Sequence, residues 1–316
     1  MNVLVTGADG FVGRHALWAL RSAGHQIVAC HRAGAPPPAW ATDTSLEGVE
    51  WRPLELGQQA SVVAAIRGGS DGVLHLAAVA SGAAARRDPG LAWEVNAAGT
   101  ARLVEALAQQ RASGAVDPLV VVVSSGEVYG AAGPPPSRET DAAQPVSPYA
   151  ASKLGAEEAA RETARRTGLR VIIARPFSHT GPGQAAEFVA PALVRRLRAA
   201  RTAGETTVKT GSLEPVRDFL DVRDVADAYA RLLASGRAGE IYNIASGVGL
   251  PLRHLFERLA AIVGLDARPE LDPALVRPAD IPYLVGDAAK LAAGTGWSPR
   301  ISLDQTLRDL ADAETD

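Results

Sequence analysis

A tyrosine and a lysine stand four residues apart in the stretch VSPYAASK, which covers residues 146–153. In an α-helix, positions i and i+4 lie on one face about a turn apart, so Tyr149 and Lys153 would present a phenol beside an ammonium. At about 4 Å and an effective dielectric constant of about 20, an ammonium favours the phenolate by roughly 4 kcal/mol, which lowers the phenol pKa by about three. The spacing therefore predicts a proton-transfer pair or, as the alternative, an ordinary polar helix face.

Hydroxyl and carboxyl groups follow the apolar run PLVVVV at 118–123, which leads to Ser125 and Glu127. A buried strand delivers such groups to the carboxyl edge of a parallel sheet, where α/β proteins bind ligands. There Tyr149 would donate a proton to a carbonyl oxygen as a hydride reaches the carbon, and Ser125 would hydrogen-bond the same oxygen as it gains charge. Asn96, in WEVNAAGT, would anchor the proton path or simply cap and pack its own helix.

Three glycines, Gly7, Gly10 and Gly13, stand between the first apolar run and a helical pattern in VLVTGADGFVGRHAL. Glycine lets the backbone turn sharply and approach a pyrophosphate, while a helix N-terminus offers unpaired N–H groups and a partial positive charge. The stretch therefore predicts a dinucleotide site. The alternative is a tight turn between strand and helix that binds no ligand.

The end of the second strand, IVACHRAG, bears on which dinucleotide binds. An acidic residue at this place would bind the ribose hydroxyls of NAD, whereas this chain has His31 and Arg32. A guanidinium pairs with a 2′-phosphate, so the sequence favours NADP(H) over NAD. A solvated loop charge is the alternative for Arg32.

Strand-like and helix-like segments alternate through the first half of the chain. The apolar runs lack in/out alternation, as strands covered on both faces do, and they lie at 2–6, 26–30, 72–76, 118–125 and 169–175. Helical patterns lie near 11–23, 58–67, 89–111 and 148–167. This order predicts an α/β fold with a doubly wound parallel sheet, the Rossmann arrangement.

The pattern of predicted elements changes after residue 175. Residues 176–316 are mainly helical, with short strand candidates in TTVKT and EIYNIA, and are expected to form a smaller α/β lobe over the carboxyl ends of the sheet. We therefore divide the chain into a dinucleotide-binding domain at 1–175 and a substrate lobe at 176–316, with some later strand and helix segments returning to the first domain. The proline clusters at 33–40 and 133–140 are expected to be loops.

Composition limits the possible functions. With 316 residues, 47% of them hydrophobic, and a net charge of −3, the chain is typical of a compact globular protein and shows no basic block for nucleic acid or anionic membranes. One cysteine, Cys30, leaves no internal disulfide and no thiol set for zinc, so we expect no metal and a reducing cytoplasm. No secretion signal or membrane-spanning run is evident.

The chain resembles the extended short-chain dehydrogenases/reductases from Met1 to about Leu310. Five stretches resemble the GDP-4-dehydro-6-deoxy-D-mannose reductases and their relatives, the GDP-mannose 4,6-dehydratases: SSGEVYG, PVSPYAASK, RPFSHTGPGQ, EPVRDFLDVRDVADAY and VRPADIPYLVGDAAKL. The resemblance implies a catalytic set of Ser125, Tyr149 and Lys153. It also implies a sugar nucleotide substrate linked to GDP or dTDP, and a homodimer through the helices near 89–111 and 148–167. Gly126 departs from the pattern, since those enzymes usually have a second hydroxyl residue there.

The resemblance also suggests binding residues. Arg217 would clamp the substrate diphosphate, Asp280 would accept from ribose hydroxyls, and Arg195 and Arg196 are expected to be solvated. The expected cofactor site comprises Gly7, Gly10, Phe11, Val12, Gly13, His31, Arg32, Leu76, Ala77, Ala78, Asn96, Tyr149, Lys153 and Pro176. The expected substrate site comprises Ser125, Glu127, Ser178, His179, Val189, Arg217, Arg277 and Asp280.

Three functions remain open. The favoured one is an NADPH-dependent 4-ketoreductase that converts GDP-4-dehydro-6-deoxy-D-mannose to GDP-D-rhamnose. The second is a nucleotide-sugar 4,6-dehydratase with tightly bound NADP, in which Glu127 would be the base; its relatives are typically longer and carry an arginine-containing cofactor loop that has no match here. A bifunctional epimerase-reductase would need a cysteine near the serine, which Cys30 does not provide. The third is a dinucleotide-binding sensor or scaffold without turnover, which would commonly lose the tyrosine or lysine.

Overall fold

The structure is a computed structural model that describes residues 1–131, 136–276 and 281–313. Its strands are β1 (Asn2–Thr6), β2 (Gln26–Arg32), β3 (Glu50–Leu54), β4 (Gly72–His75), β5 (Leu119–Val123), β6 (Arg170–Pro176), β7 (Ser178–Thr180), β8 (Thr207–Thr210), β9 (Val216–Asp221), β10 (Ile241–Ile244), β11 (Gly249–Pro251), β12 (Arg268–Leu271) and β13 (Tyr283–Leu284). Its α-helices are α1 (Phe11–Ser22), α2 (Gln59–Ala65), α3 (Gly82–Arg87), α4 (Pro89–Trp93), α5 (Gly99–Ala112), α6 (Pro148–Thr167), α7 (Val189–Ala203), α8 (Val222–Ser235), α9 (Leu252–Val263), α10 (Ala289–Thr295) and α11 (Leu303–Ala313).

Within these ranges, seven parallel strands form the main sheet in the order β10-β6-β5-β4-β1-β2-β3. The order reverses between β1 and β4, and α/β folds of this type bind ligands in the crevice at that reversal. Helices α1 and α8 bury apolar side chains against one face of the sheet, and α2, α5 and α6 cover the other. The prediction of a doubly wound α/β fold is confirmed.

Burial on both faces explains the apolar runs in the sequence. All five residues of β5 are buried, which is why the run shows no alternation. Strand β3 was not predicted, since its sequence EWRPL carries charges and a proline. It lies at the edge of the sheet and pairs only with β2 on the main-sheet path, a position where proline is tolerated.

The stretch predicted as one helix near 89–111 is divided. A π-helical turn at Glu94–Ala98 joins α4 to α5. Turns of this kind interrupt α-helices frequently at functional sites, and here the turn carries Asn96. Short 3-10 turns lie at Ala39–Thr42, Thr44–Leu46, Gly126–Tyr129 and Pro273–Leu275.

A second layer lies beyond β6. Strands β11, β9 and β13 form a small sheet to which β7 adds through β9, while β8 pairs with β12. Helices α7, α9 and α11 bury a separate apolar cluster. Strand β10 returns to the main sheet beside β6, and α8 packs against α1. The division of the chain near residue 175 stays a prediction. No helix in the described ranges has the length and hydropathy needed to span a bilayer.

Candidate active site

A cavity of about 1210 Å³ opens at the carboxyl ends of the main sheet. Its wall comes partly from the loops after β1, β2, β4 and β5 and from α6, and partly from α7 and the small sheet. The predicted site residues in this wall are Gly7, Gly10, Phe11, Val12, Gly13, His31, Arg32, Leu76, Ala77, Ala78, Ser125, Glu127, Tyr149, Lys153, Pro176, Ser178, His179, Val189 and Arg217. Residues from distant parts of the sequence therefore meet in one crevice.

The glycine turn is built for close backbone approach. Gly7 has a φ of +67°, and a Cβ there would lie 2.7 Å from the backbone nitrogen of Ala77. Helix α1 begins after Gly10 with no side-chain cap and no acidic residue in its first turn. Its first N–H groups and positive dipole end thus face the cavity without a competing carboxylate on the helix, which fits the pyrophosphate of a dinucleotide.

The end of β2 places Arg32 in the cavity wall with an exposed side chain, next to buried His31. Asp9, from the glycine turn, accepts a hydrogen bond from the Arg32 backbone nitrogen at 2.9 Å. The His31 ring lies 6.2 Å from the ring of Trp51. The carboxylate thus fixes the strand end while the guanidinium stays available to a ligand in the crevice.

Helix α6 carries the tyrosine and the lysine. Ser147 caps it by accepting from the Ala150 backbone nitrogen at 3.1 Å, and a proline occupies the first turn. Tyr149 and Lys153 follow one turn apart and both line the cavity. The Lys153 ammonium donates to the Val123 carbonyl at 2.8 Å, so the last residue of β5 holds the amine.

The electrostatics of this pair differ from the sequence prediction. Burial raises the pKa of the Tyr149 phenol, the Glu127 carboxylate raises it further, and the Ser125 hydroxyl opposes the rise. Burial also lowers the pKa of Lys153 to about 8, against the opposing effect of Glu157. The spacing alone predicted a lowered phenol pKa, because it gives neither the burial of the two groups nor the carbonyl that the amine binds. Tyr149 is therefore held as a neutral phenol at neutral pH.

Ser125 and Glu127 lie in the turn that follows β5. Ser125 is 8% exposed, and its Oγ accepts from the Glu127 backbone nitrogen at 3.1 Å. Between them, a Cβ on Gly126 would approach three atoms of the Phe177 ring at 3.0 Å. The ring of Phe177 thus occupies the space that a side chain at position 126 would need. This explains why the chain has glycine where the related enzymes usually have a second hydroxyl residue.

Asn96 does not line the cavity. Its Oδ1 accepts from the Val79 backbone nitrogen at 2.7 Å, and its Nδ2 donates to the Val79 carbonyl at 3.2 Å and to Ser152 Oγ at 2.9 Å. The side chain therefore ties the segment after β4 to α6. The role of Asn96, in the proton path or in packing of its helix, stays a prediction.

The end of the cavity that is expected to bind substrate lies in the second layer. Arg217, on β9, lines the wall and donates to the Ile281 carbonyl at 2.7 Å. Arg196, expected to be solvated, also lines it from α7. The predicted contacts Arg277 and Asp280 lie outside the described residues.

His179 has the surroundings of a neutral imidazole. Its ring stacks on Phe11 with centroids 6.3 Å apart, and its Nδ1 lies 2.9 Å from the Phe177 carbonyl oxygen. Burial lowers the pKa of the ring, so it is uncharged at neutral pH. This state suits a hydrogen-bonding contact with a hydroxyl group better than a role as a charged acid.

A sequence profile described as the NAD dependent epimerase/dehydratase family matches residues 3–245. The chain belongs to this family. It is 36% identical to GDP-6-deoxy-D-mannose reductase of Pseudomonas aeruginosa, over 97% of this chain and 95% of that protein. It is 30% identical to UDP-glucose 4-epimerase of Mycolicibacterium smegmatis, over 97% and 96%. The solved structure of RMD from Pseudomonas aeruginosa complexed with NADPH matches with a TM-score of 0.83 and 34% identity, covering 99% of each chain.

This membership confirms the resemblance and the prediction of an NAD(P)-dependent oxidoreductase. The part of this chain that matches the family profile runs from β1 through β10 and includes the glycine turn and most of the residues that line the cavity. The roles of individual residues stay predictions. No group of three or more His, Cys, Asp or Glu side chains in the described part of the chain is arranged to hold a metal ion.

The sequence did not predict several residues of the wall. Asp9 is an acidic residue inside the glycine turn, so the sequence did contain a signal from which its place in the wall could have been predicted. Arg86, on α3, also lines the cavity. Tyr229, on α8, is 1% exposed, and its hydroxyl has no hydrogen-bond partner within the described residues. Its helical spacing indicated only a core residue, so nothing in the sequence pointed to this position.

Proposed function

We propose that the protein is an NADPH-dependent 4-ketoreductase acting on a nucleotide-linked 4-keto-6-deoxyhexose, and that it converts GDP-4-dehydro-6-deoxy-D-mannose to GDP-D-rhamnose. The observation that carries the proposal is a single cavity lined by the glycine turn, by Ser125, Tyr149 and Lys153, and by Arg217. The 36% identity to a GDP-6-deoxy-D-mannose reductase over nearly the full chain supports the same substrate class.

The glycine turn and Arg32 would hold NADP(H), with the pyrophosphate at the start of α1. When bound, the reduced cofactor supplies a hydride to C4 of the sugar. Tyr149 donates its phenol proton to the C4 oxygen, which suits a phenol kept protonated by its surroundings. Ser125 hydrogen-bonds that oxygen as negative charge develops, and Lys153 would bind the ribose next to the nicotinamide when the cofactor is present.

Two guanidinium groups favour a diphosphate at the opposite end of the crevice. Arg196 and Arg217 reach the cavity from different elements, α7 and β9. Planar guanidinium groups bind phosphate oxygens in pairs of parallel hydrogen bonds. In the sequence, Ser178 and the neutral His179 follow the catalytic residues and precede Arg196 and Arg217, and both line the cavity. We assign them to binding of the sugar hydroxyls. Contacts from Arg277 and Asp280 stay predictions.

The test supplies GDP- and dTDP-linked 4-keto-6-deoxyhexoses with NADPH and follows the absorbance of the reduced nicotinamide. We expect NADPH to be consumed in equal amount to the GDP-linked ketosugar, with GDP-D-rhamnose as the product identified by NMR. Faster turnover of the dTDP-linked sugar would overturn the choice of nucleotide. Absence of NADPH consumption with every ketosugar would overturn the reductase.

A second candidate is the 4,6-dehydratase. Glu127 lines the cavity and is close enough to Tyr149 for its charge to raise the phenol pKa, which is a suitable place for a base acting on a neighbouring sugar carbon. This reaction returns the hydride to the sugar. Conversion of GDP-mannose with no net change in NADPH absorbance would therefore favour the dehydratase.

Replacing Arg32 with alanine should weaken NADPH binding by about 10- to 100-fold more than NADH binding. The side chain lies in the cavity wall at the end of β2, and one hydrogen bond to a charged group contributes about 1.5–3 kcal/mol. Fluorescence titration with both cofactors measures the difference. Arg165→Ala, which removes an exposed guanidinium from α6 outside the cavity, is the matched control. An equal loss of affinity for NADPH and NADH would show that Arg32 does not bind the 2′-phosphate.

The homodimer is also a proposal. Leu91 and Trp93 on α4 are 44% and 46% exposed, and Trp93 packs close to Gly155 on α6, within the two helical regions expected at the interface. Light scattering should give about twice the mass of the 32.8-kDa chain. A mass equal to one chain would contradict the dimer. The cytoplasmic location, inferred from the single cysteine, stays a prediction.

A further inference from the structure

A buried ion pair joins the catalytic helix α6 to strand β6. Glu157, on α6, is 0% exposed, and Arg175, on β6, is 3% exposed. Arg175 donates from Nε to Glu157 Oε1 at 2.9 Å and from Nη2 to Oε2 at 2.7 Å. Ser124, at the end of β5, donates to the same carboxylate at 2.5 Å. The carboxylate thus binds two groups from adjacent strands.

Stability alone does not account for this pair. Removing two charges from water costs several kcal/mol per ion, and well-packed apolar residues of similar volume are often as stabilising or more so. Arg175 also lies over the ring of Tyr129 at 4.7 Å, so its guanidinium is enclosed on a second side. A fully buried carboxylate at this place therefore calls for a role beyond holding α6 on the sheet.

Glu157 stands four residues after Lys153, as Lys153 stands four residues after Tyr149. The three side chains follow one another along a single face of α6, where positions i and i+4 are neighbours. Lys153 is itself only 6% exposed, and the Val123 carbonyl is a neutral acceptor that brings no countercharge. Glu157 is the acidic neighbour of the amine on its own helix.

We propose that Glu157 is a positioning residue of the active site, whose carboxylate keeps the Lys153 amine protonated while Arg175 fixes the position of that carboxylate. The proposal rests on the proposed function for the role of Lys153 in proton transfer and ribose binding. It assigns to Arg175 and Glu157 a task carried out entirely behind the cavity wall, since neither residue lines it.

The direction of the electrostatic effects supports this assignment. Burial lowers the pKa of Lys153 to about 8, and the charge of Glu157 acts against that fall. Without the carboxylate the amine would lose its proton at a still lower pH. A neutral amine at neutral pH would no longer stabilise negative charge that develops on the Tyr149 oxygen.

Other titratable groups around the amine do not replace Glu157. His75, on β4, is hydrogen-bonded to Thr6 and Thr100, and its pKa is lowered to about 3, so it is neutral. The phenol of Tyr149 is neutral as well. The titratable groups of this region are Tyr149 and Glu157 on α6, His75 on β4, Arg175 on β6, Tyr229 on α8, and Glu127 and Tyr129 in the turn after β5.

The experiment measures the pH dependence of kcat/KM for ketosugar reduction and of the Kd for NADPH. In Glu157→Gln, which keeps the shape and removes the charge, we expect the alkaline loss of activity and of NADPH affinity to begin about one to three pH units lower than in the wild type. The direction follows because a lower amine pKa means that the proton is lost at a lower pH.

Arg175→Gln is the matched control, since it breaks the same ion pair but leaves the Glu157 carboxylate. We expect its alkaline decline to begin at the wild-type pH or above. The same downward displacement in both variants, or an unchanged pH profile in Glu157→Gln, would show that the pair is merely structural and would overturn the proposal.

A double variant guards against misfolding. Glu157→Gln combined with Arg175→Gln removes both members of the ion pair, so Arg175 is not left as an unpaired buried charge, and thermal denaturation should show the double variant to be more stable than Glu157→Gln alone. We expect its alkaline decline still to begin below the wild-type pH. A wild-type profile in the double variant would overturn the proposal.

The NADPH titration separates this proposal from the proposed function. It needs no sugar, so it reports the state of Lys153 even if the wild type reduces none of the ketosugars. Absence of turnover would overturn the reductase, whereas an unchanged pH dependence of NADPH affinity in Glu157→Gln would overturn the role of Glu157.

Discussion

Tyr149→Phe is expected to reduce kcat for ketosugar reduction by at least about 100-fold, the scale of losing a positioned general acid. The substitution removes only the hydroxyl, which lies in the cavity near Ser125 and Glu127. The ring and the start of α6 remain, so NADPH should still bind with an affinity close to that of the wild type. Steady-state kinetics and fluorescence titration with NADPH measure the two quantities.

Tyr242→Phe provides the matched control for this substitution. Tyr242 is 4% exposed on β10 and does not line the cavity, and its hydroxyl accepts from the Arg237 backbone nitrogen at 3.2 Å. We expect a small loss of stability and normal turnover. Near-normal turnover in Tyr149→Phe would rule out the proposed mechanism. NADPH binding without turnover in both the wild type and Tyr149→Phe would favour the sensor or scaffold.

Much of the fold could be predicted because burial leaves a mark in the sequence. The run at 118–123 is apolar throughout since helices cover β5 on both faces, and close backbone contacts require glycine at Gly7 and Gly13. Strand β3 left no such mark. It lies at the sheet edge, where main-chain hydrogen bonds to β2 define it and the side chains of Glu50 and Arg52 pair with each other.

The candidate site was predictable to the extent that it depends on spacing within one element. Tyr149 and Lys153 could be paired because a helix sets their separation. Their electrostatics could not, since these depend on burial and on the Val123 carbonyl, which belongs to another strand. Glu157 continues the same row in the sequence, yet its meaning depends on Arg175, which only the sheet brings against it.

Gly13→Ala should destabilise the fold by about 1–3 kcal/mol, the usual cost of forcing an extra carbon into a packed site, and should weaken NADPH binding at least tenfold. A Cβ at this position would clash with the carbonyl oxygen of Gly7 and would lie 2.6 Å from that of Ala8. These atoms belong to the backbone of the glycine turn, so they cannot move aside without changing the pyrophosphate site. Thermal denaturation and NADPH titration measure the two effects.

Gly10→Ala separates packing from ligand contact in the same turn. Its added Cβ would meet only the Gly7 carbonyl oxygen, at 3.3 Å, and its φ of −84° is open to any residue. We therefore expect a stability close to that of the wild type but weaker NADPH binding, because the methyl group would stand where the backbone approaches the pyrophosphate. Wild-type stability and NADPH affinity in Gly13→Ala would contradict the close contact between α1 and the turn, and with it the placement of the cofactor at this helix end.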